Sequence, residues 1–340
     1  MIKFLACSVL SAVALVSAAV ASQQIKLKVS FYSSDRSITY LSSVKPFVDA
    51  VDQALGSEVA FEVGFSGALG PIRQQPQLVL DGGGVDIALA LPGYTPELFP
   101  DNVVMEMPGL FRNALEASLV YTRLVAAGAL RGYENYVVLG AYASPPESIH
   151  SRVPIASLAD LGGKRIRVNN PGQAAALKAL GAVPVQMAIT EITQALSSGS
   201  IDAALVPLGP LQDFGIKRLA TNHYLLPVSH TPMALLMNRR RFETLPESVQ
   251  VVLRKYAGAW AAERFVEARE RDDKKVLDEL LADTKRRVIE PTASDQQAAD
   301  AAFHLVTQQM IDKRPATGPL LNAVKQELAE VREMLKGSQP

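Results

Sequence analysis

Lys164-Arg165-Ile166-Arg167-Val168 opens the run that decides the fold. Its polar–apolar alternation is that of a strand with one buried face. A helical segment follows, Gln173 to Leu180, stopped by Gly181. Val183 to Met187 reads as a second strand, Ile189 to Leu196 as a helix ended near Gly199, and Ile201 to Val206 as a third strand. Strands alternating with helices in this way predict a right-handed βαβαβ unit with parallel strands. In such sheets ligands bind beyond the carboxyl ends of the strands.

The same order occurs upstream. Ile25 to Phe31 alternates strictly, and an apolar stripe at helical spacing follows (Leu41, Val44, Phe47, Val48, Val51, Leu55), ended by Gly56. Val59 to Phe65 predicts a strand, Ile72 to Leu80 a short helix stopped at Gly82-Gly83-Gly84, and Val85 to Leu91 a strand covered on both faces. The closing strings match: Gly84-Val85-Asp86-x-Ala88-Leu89 and Ser200-Ile201-Asp202-x-Ala204-Leu205. Two such units predict an α/β protein of two lobes whose strand ends face one shared cleft.

The expected divisions are 1–21 as a removed signal peptide, 22–140 as the first lobe, 141–230 as the second, and 231–340 as a return crossing followed by long helices. Tyr136 to Ile149 reads as the first connector between lobes and Leu225 to Met237 as the second. Beyond them, Thr244-Leu-Pro246-Glu247 predicts a capping box and a long helix with Val249, Val252, Leu253, Tyr256 and Trp260 on one face, continuing toward Leu281. The charged run Arg269–Lys275 on that helix reads as a solvated face. Ser294 with Gln297 predicts the start of another helix, and Leu320 to Leu335 the last.

Composition narrows the classes of function. The 340 residues carry 34 basic and 34 acidic side chains, so nothing draws the chain toward nucleic acid or an anionic membrane. Lys3, the apolar stretch Phe4 to Val16 and Ala19-Val20-Ala21 form a cleavable export signal, with cleavage expected after Ala21. The single cysteine, Cys7, falls inside it, so the mature protein is expected to have no disulfide, cysteine ligand or cysteine nucleophile. The expectation is an exported periplasmic protein, monomeric, without metal or cofactor.

No catalytic set emerges. There is no P-loop, and Gly82-Gly83-Gly84 precedes a strand instead of opening a helix. Gly64-Phe-Ser66-Gly67 is one residue short of a nucleophile elbow, which leaves Ser66 as a hydrogen-bond donor. His150, His223, His230 and His304 have no metal spacing. His230 is either a cleft residue or a satisfied structural histidine. An exported hydrolase is therefore disfavoured. Arg165 and Arg167 share one face of their strand, beside Asn169-Asn170-Pro171-Gly172. Arg167 is either a structural ion-pair partner or a fork for a ligand carboxylate.

The strings Ser66-Gly67-Ala68-Leu69-Gly70, Val85-Asp86-Ile-Ala88, Leu110-Phe111-Arg112, Leu158-Ala-Asp-Leu161, Gly163-Lys-Arg-Ile-Arg-Val168, Ala179-Leu-Gly-Ala-Val-Pro-Val185, Ile201-Asp202 and Leu245-Pro246 occur in this order. With them the chain resembles the DctP-type extracytoplasmic solute receptors of TRAP transporters. The resemblance implies a type II periplasmic-binding-protein-like α/β fold, with a cleft between two mainly parallel sheets and long C-terminal helices. It also implies a non-enzymatic receptor that captures an organic carboxylate and delivers it to a membrane permease. Arg167 matches the family's carboxylate-binding arginine, and Asn170 and Ile189 match positions that help hold the ligand. Two positions depart: Val206 precedes Pro207 where Asn is common, and Pro146-Glu147 stands where a second arginine is often found, leaving Arg36 or His150 as substitutes. Phe31, Tyr32, Pro92, Tyr94, Tyr142 and Met187 would suit a monocarboxylate with an apolar or aromatic body. A sensor subunit presenting its ligand to a membrane kinase is the alternative from another class.

Overall fold

A computed structural model of the chain describes residues 24–82 and 84–337. The signal segment, Cys7 and Gly83 lie outside the described residues. Among the described residues eleven strands form two sheets. The strands are β1 (Ile25–Ser30), β2 (Val59–Gly64), β3 (Ile87–Ala90), β4 (Tyr136–Ala143), β5 (Ser148–Ser151), β6 (Arg165–Val168), β7 (Val183–Gln186), β8 (Ala203–Val206), β9 (Asn222–Tyr224), β10 (Pro232–Asn238) and β11 (Arg287–Ile289). The first sheet runs β2-β1-β3-β10-β4 and the second β11-β9-β5-β8-β6-β7.

Each sheet contains one of the predicted βαβαβ units, laid out identically. β1 lies between β2 and β3, parallel to both, and β6 lies between β7 and β8, parallel to both. The matched aspartates do the same work in each. The Asp86 carboxylate accepts from the Lys28 N–H at 2.7 Å, and Asp202 from the Arg165 N–H at 3.0 Å. Their own N–H groups donate to the Lys28 and Arg165 carbonyls at 2.9 and 2.8 Å. Each aspartate thus locks the third strand of its unit to the first.

The sheets are less uniformly parallel than expected, because the crossing strands enter antiparallel. β10 runs antiparallel to β3 and β4, and β5 antiparallel to β8 and β9. The crossings lie side by side: Ser144 N–H donates to Thr231 C=O and Glu147 N–H to Ser229 C=O, both at 2.9 Å, while Val228 N–H donates to Glu147 C=O at 3.1 Å. A third connection is the helix Ala259–Ala282, which packs against β4 and the helices Ile38–Ser43 and Ala114–Ala126, and also touches β11 of the second sheet.

That helix is not continuous with its predecessor, as the sequence suggested. The chain breaks into Glu247–Lys255 and Ala259–Ala282 at Gly258, whose φ of 62° is outside the helical range and whose N–H donates to Leu139 C=O at 3.2 Å. The capping box does not form either: Pro246 occupies the N-cap position, and the Thr244 hydroxyl turns back to Arg241 C=O at 2.7 Å. The stripe Leu41–Leu55 likewise splits at Val44 into Ile38–Ser43 and Lys45–Leu55, with Pro46 in the first turn of the second helix. The later helix begins at Ala293, capped by the Thr292 hydroxyl instead of Ser294, and the last is Thr317–Gly337.

Candidate functional site

In β6, Ile166 and Val168 are buried in the core of the second lobe, so alternation turns Arg165 and Arg167 the other way. Their fates differ. Arg165 is half-exposed and pairs with Asp202 at 2.9 Å. Arg167 is 1% exposed and lines a cavity where the strand ends of the two lobes meet. Its Nε donates to Met187 C=O at 3.1 Å, Nη1 to Leu205 C=O at 3.2 Å and Nη2 to the Tyr94 hydroxyl at 2.6 Å. Two carbonyls of the second lobe and one hydroxyl of the first thus fix the guanidinium plane. The Ile189 N–H also donates to that hydroxyl, at 3.0 Å. Both acceptor positions of the Tyr94 oxygen are filled, and its proton remains for an acceptor in the cavity.

The cavity volume is about 40 Å³, and its wall is largely apolar: Leu91, Ile189, Met233 and Phe265 with the rings of Tyr32 and Tyr94. Behind Arg167, β6 leads into the helix Pro171–Ala179, which Asn170 caps by accepting from Gln173 N–H at 2.8 Å. Asn169, in the wall, donates to the Thr231 hydroxyl at 2.6 Å, and that hydroxyl donates to Glu147 at 2.9 Å. Glu147 also accepts from Ser229 at 3.2 Å and from the Gln173 amide. Burial pushes its carboxyl up to about 7, against the opposing pull of Arg167 and the hydroxyls of Thr231 and Ser229. Nearby Glu106, buried with its Oε1 unpartnered, is pushed up to about 8 by the same desolvation.

Of the residues singled out from sequence, Arg167, Tyr32 and Glu147 share the cavity wall, as do Tyr94, Asn169 and Ile189. Others support that wall from behind. Phe31 stacks on Tyr32 at 4.9 Å, Tyr142 stacks under Phe265 at 4.7 Å, and Asn170 donates to Asn169 Oδ1 at 2.6 Å. Met187 contributes its carbonyl to Arg167, Pro92 opens the turn that places Tyr94, and Val206 is a core residue ahead of Pro207, which lines the cavity. Two do not come to the site. Ser66 is exposed in a turn, held in the left-handed region at φ 56°, and His230 is buried between Ser144 C=O at 2.6 Å and Phe111 C=O at 3.3 Å.

Neither suggested replacement for a second arginine serves. Arg36 is exposed. His150 faces His223, Nδ1 to Nδ1 at 2.9 Å, with its Nε2 3.2 Å from Val206 C=O. A carbonyl only accepts, so a neutral His150 carries its proton on Nε2 and receives one from His223. Burial first, and the neighbouring imidazole second, lower His150 to about 3, which keeps it uncharged.

The second arginine of the cavity is Arg269, from the middle of Ala259–Ala282. The sequence pattern alone places it on a solvated face. Glu270, Arg271, Lys274 and Lys275 are indeed exposed, but Arg269 and Asp273 are buried. Among the buried positions of the helix, Ala262, Phe265 or Val266, Arg269, Asp273, Val276 and Leu280 follow one another at three- or four-residue steps, so both charges sit on its inward stripe. That periodicity was the signal that could have found them.

The model of the DctP family, described as bacterial extracellular solute-binding protein, family 7, matches residues 30–314. The 2,3-diketo-L-gulonate-binding periplasmic protein of Escherichia coli K12 is 26% identical over 260 residues, 72% of this chain and 74% of its own. A TRAP solute binding protein from Rhodoferax ferrireducens T118, solved with copurified benzoate, superposes with a TM-score of 0.85 at 23% identity, covering 92% of this chain and all of that one. A marine metagenome TRAP solute binding protein specific for aromatic acid ligands, solved with 3-hydroxybenzoate, gives 0.81 at 25% identity over 90% of this chain and 98% of that one. The sensor-subunit reading gains no support from these relatives. Among the described residues no helix is long and apolar enough to cross a membrane.

Proposed function

The chain belongs to bacterial extracellular solute-binding protein family 7, the DctP family, and we propose that it is a periplasmic receptor that captures a compact organic monocarboxylate and hands it to a TRAP membrane permease. The observation that carries the reading is Arg167, buried and oriented by three protein acceptors, with one N–H left on each Nη atom. Those two N–H groups match the two oxygens of a carboxylate. Tyr94 adds a hydroxyl proton beside them. The largely apolar, aromatic-rich lining favours an apolar or aromatic body over a polyhydroxylated one.

The mechanism is capture by closure. Tyr94 and Leu91 follow β3 of the first lobe, while Arg167, Asn169 and Ile189 belong to the second, so an acid bound to Arg167 touches both. The paired crossings at Ser144–Glu147 and Val228–Thr231 are the segments about which the lobes turn. Closure excludes water, which strengthens the ion pair, and sets the two lobe surfaces in the arrangement the permease recognises.

Thermal unfolding of refolded, ligand-stripped protein with a panel of organic acids tests the reading. An acid at 100 times its Kd adds about 2.7 kcal/mol to stability, several degrees of Tm. Shifts with benzoate-sized monocarboxylates are expected. A protein that melts unchanged with every acid in the panel is not this receptor.

A further inference from the structure

Arg167 has its fork oriented before any ligand arrives, and its remaining N–H pair can take both oxygens of one carboxylate. Arg269 lines the same cavity at 3% exposure, and its donors are not similarly matched. Its Nη2 lies 3.2 Å from Asp273 Oδ1, but Nε and Nη1 are buried without any hydrogen-bond partner. Native proteins rarely leave buried donors of a charged group unmet. The site is shaped to admit this side chain: a Cβ on Gly209 would lie 2.5 Å from Nη1 and 2.7 Å from Nη2.

The charges say what those donors await. Asp273 already faces Arg269, and Asp213, held by the Ile38 N–H at 2.7 Å and the Thr39 N–H at 3.2 Å, is a further anion close enough to feel it. Among the described residues the acid that feels Arg167 is Glu147, and the Glu147 carboxyl is largely taken up by Thr231, Ser229 and Gln173. The positive end of the cavity is therefore at Arg167, and the Arg269 end is already balanced. A second carboxylate has no free charge to meet there.

We propose that Arg269 is a specificity residue that grips an uncharged second oxygen of the ligand, a hydroxyl or carbonyl on the body of the acid that Arg167 holds by its carboxylate. The proposal rests on the receptor reading above and narrows its substrate class to oxygen-bearing monocarboxylates. Discrimination arises because a ligand lacking that oxygen leaves Nε and Nη1 unmet in a dry cavity.

Calorimetry with benzoate, the three monohydroxybenzoates and mandelate tests it on the wild-type protein, on Arg269→Met and on Arg269→Gln/Asp273→Asn, the double variant removing both charges together. The wild type is expected to bind the best oxygen-bearing acid about tenfold or more tighter than benzoate. In both variants that advantage falls below about threefold, read as the ratio of the two affinities within each variant. Circular dichroism melting confirms which variants are folded, and the double variant stands in should Arg269→Met unfold. An advantage that persists in the folded variants, a loss shared equally by all the acids, or a wild type indifferent to the second oxygen overturns the role of Arg269. A wild type that binds none of the acids overturns the receptor reading itself.

Discussion

Arg167 and Arg269 are buried to nearly the same extent in one cavity wall, at 1% and 3% exposure, yet they are held in opposite ways. Arg167 sits on a short strand whose alternation fixes its direction, and three acceptors lock its plane. Arg269 sits on a long helix, tied one turn on to Asp273, with two nitrogens unpartnered. The first is braced to receive a full charge with little reorganisation. The second is neutralised in place and keeps donors open. On the proposed reading, one cavity separates the task of holding the acid from that of choosing among acids.

The largest effect is expected at the braced arginine. Arg167→Met removes the charge and leaves the Met187 and Leu205 carbonyls, the Tyr94 hydroxyl and Glu147 without their cation. Breaking such a buried arrangement from one side costs about 3–5 kcal/mol of stability, and carboxylate affinity should fall by about 100-fold or more. Melting curves and calorimetry with the acids that bind the wild type read both. Undiminished affinity in a folded Arg167→Met would reduce Arg167 to a structural brace and erase the contrast with Arg269.

Next in size is a pH effect centred on the Arg167 end. The Glu147 carboxyl, raised to about 7 by burial, is mostly protonated at pH 6 and mostly ionised at pH 8. Its folded value lies above the ordinary one, so its stabilising contribution is complete below about 4.5 and is lost as pH rises through about 7. An incoming carboxylate also favours the protonated form. Affinity should fall above pH 7 by up to about tenfold per pH unit, and binding should take up a proton. Asp213 and Asp273, also raised by burial, push the same way from the Arg269 end, so Glu147→Gln is the control that should flatten most of the dependence. Affinity constant from pH 6 to 8 would place Glu147 outside the electrostatics of the site.

The parts of this cavity that were legible in the sequence are those set by short-range rules. Alternation around Ile166 and Val168 gave the direction of Arg167, and the strings around Asp86 and Asp202 marked two units that proved to share strand order and the same aspartate clamp. Glycine and proline marked most element ends, although Gly258 was passed over because the helical spacing continues on both sides of it. Parts set by long-range packing were legible at most through helical periodicity. The charged run Arg269–Lys275 has an inward and an outward stripe, and composition alone cannot tell which charges face in. Asn169, not Asn170, reached the wall, because Asn170 is consumed in capping the following helix. Ser66 and His230 were chosen for their chemistry, and the fold uses each elsewhere.

The smallest effect, and the finest probe of the contrast, is expected from Gly209→Ala. The backbone there is helical, with φ −55° and ψ −46°, so alanine is conformationally acceptable and any consequence comes from its methyl group. That methyl would meet Nη1 and Nη2 of Arg269 at 2.5 and 2.7 Å, closer than atoms can stand, and the far end of a long side chain is what yields. Arg167, anchored by its own acceptors, has no reason to move. Stability should therefore change by less than about 1 kcal/mol, while an oxygen-bearing acid binds about two- to fivefold more weakly and benzoate binds as before. The selective loss would show that the open donors of Arg269 are positioned by the glycine beside them. Equal weakening of every acid would mean instead that the methyl group narrows the cavity as a whole, and the division of labour between the two arginines would have to be abandoned.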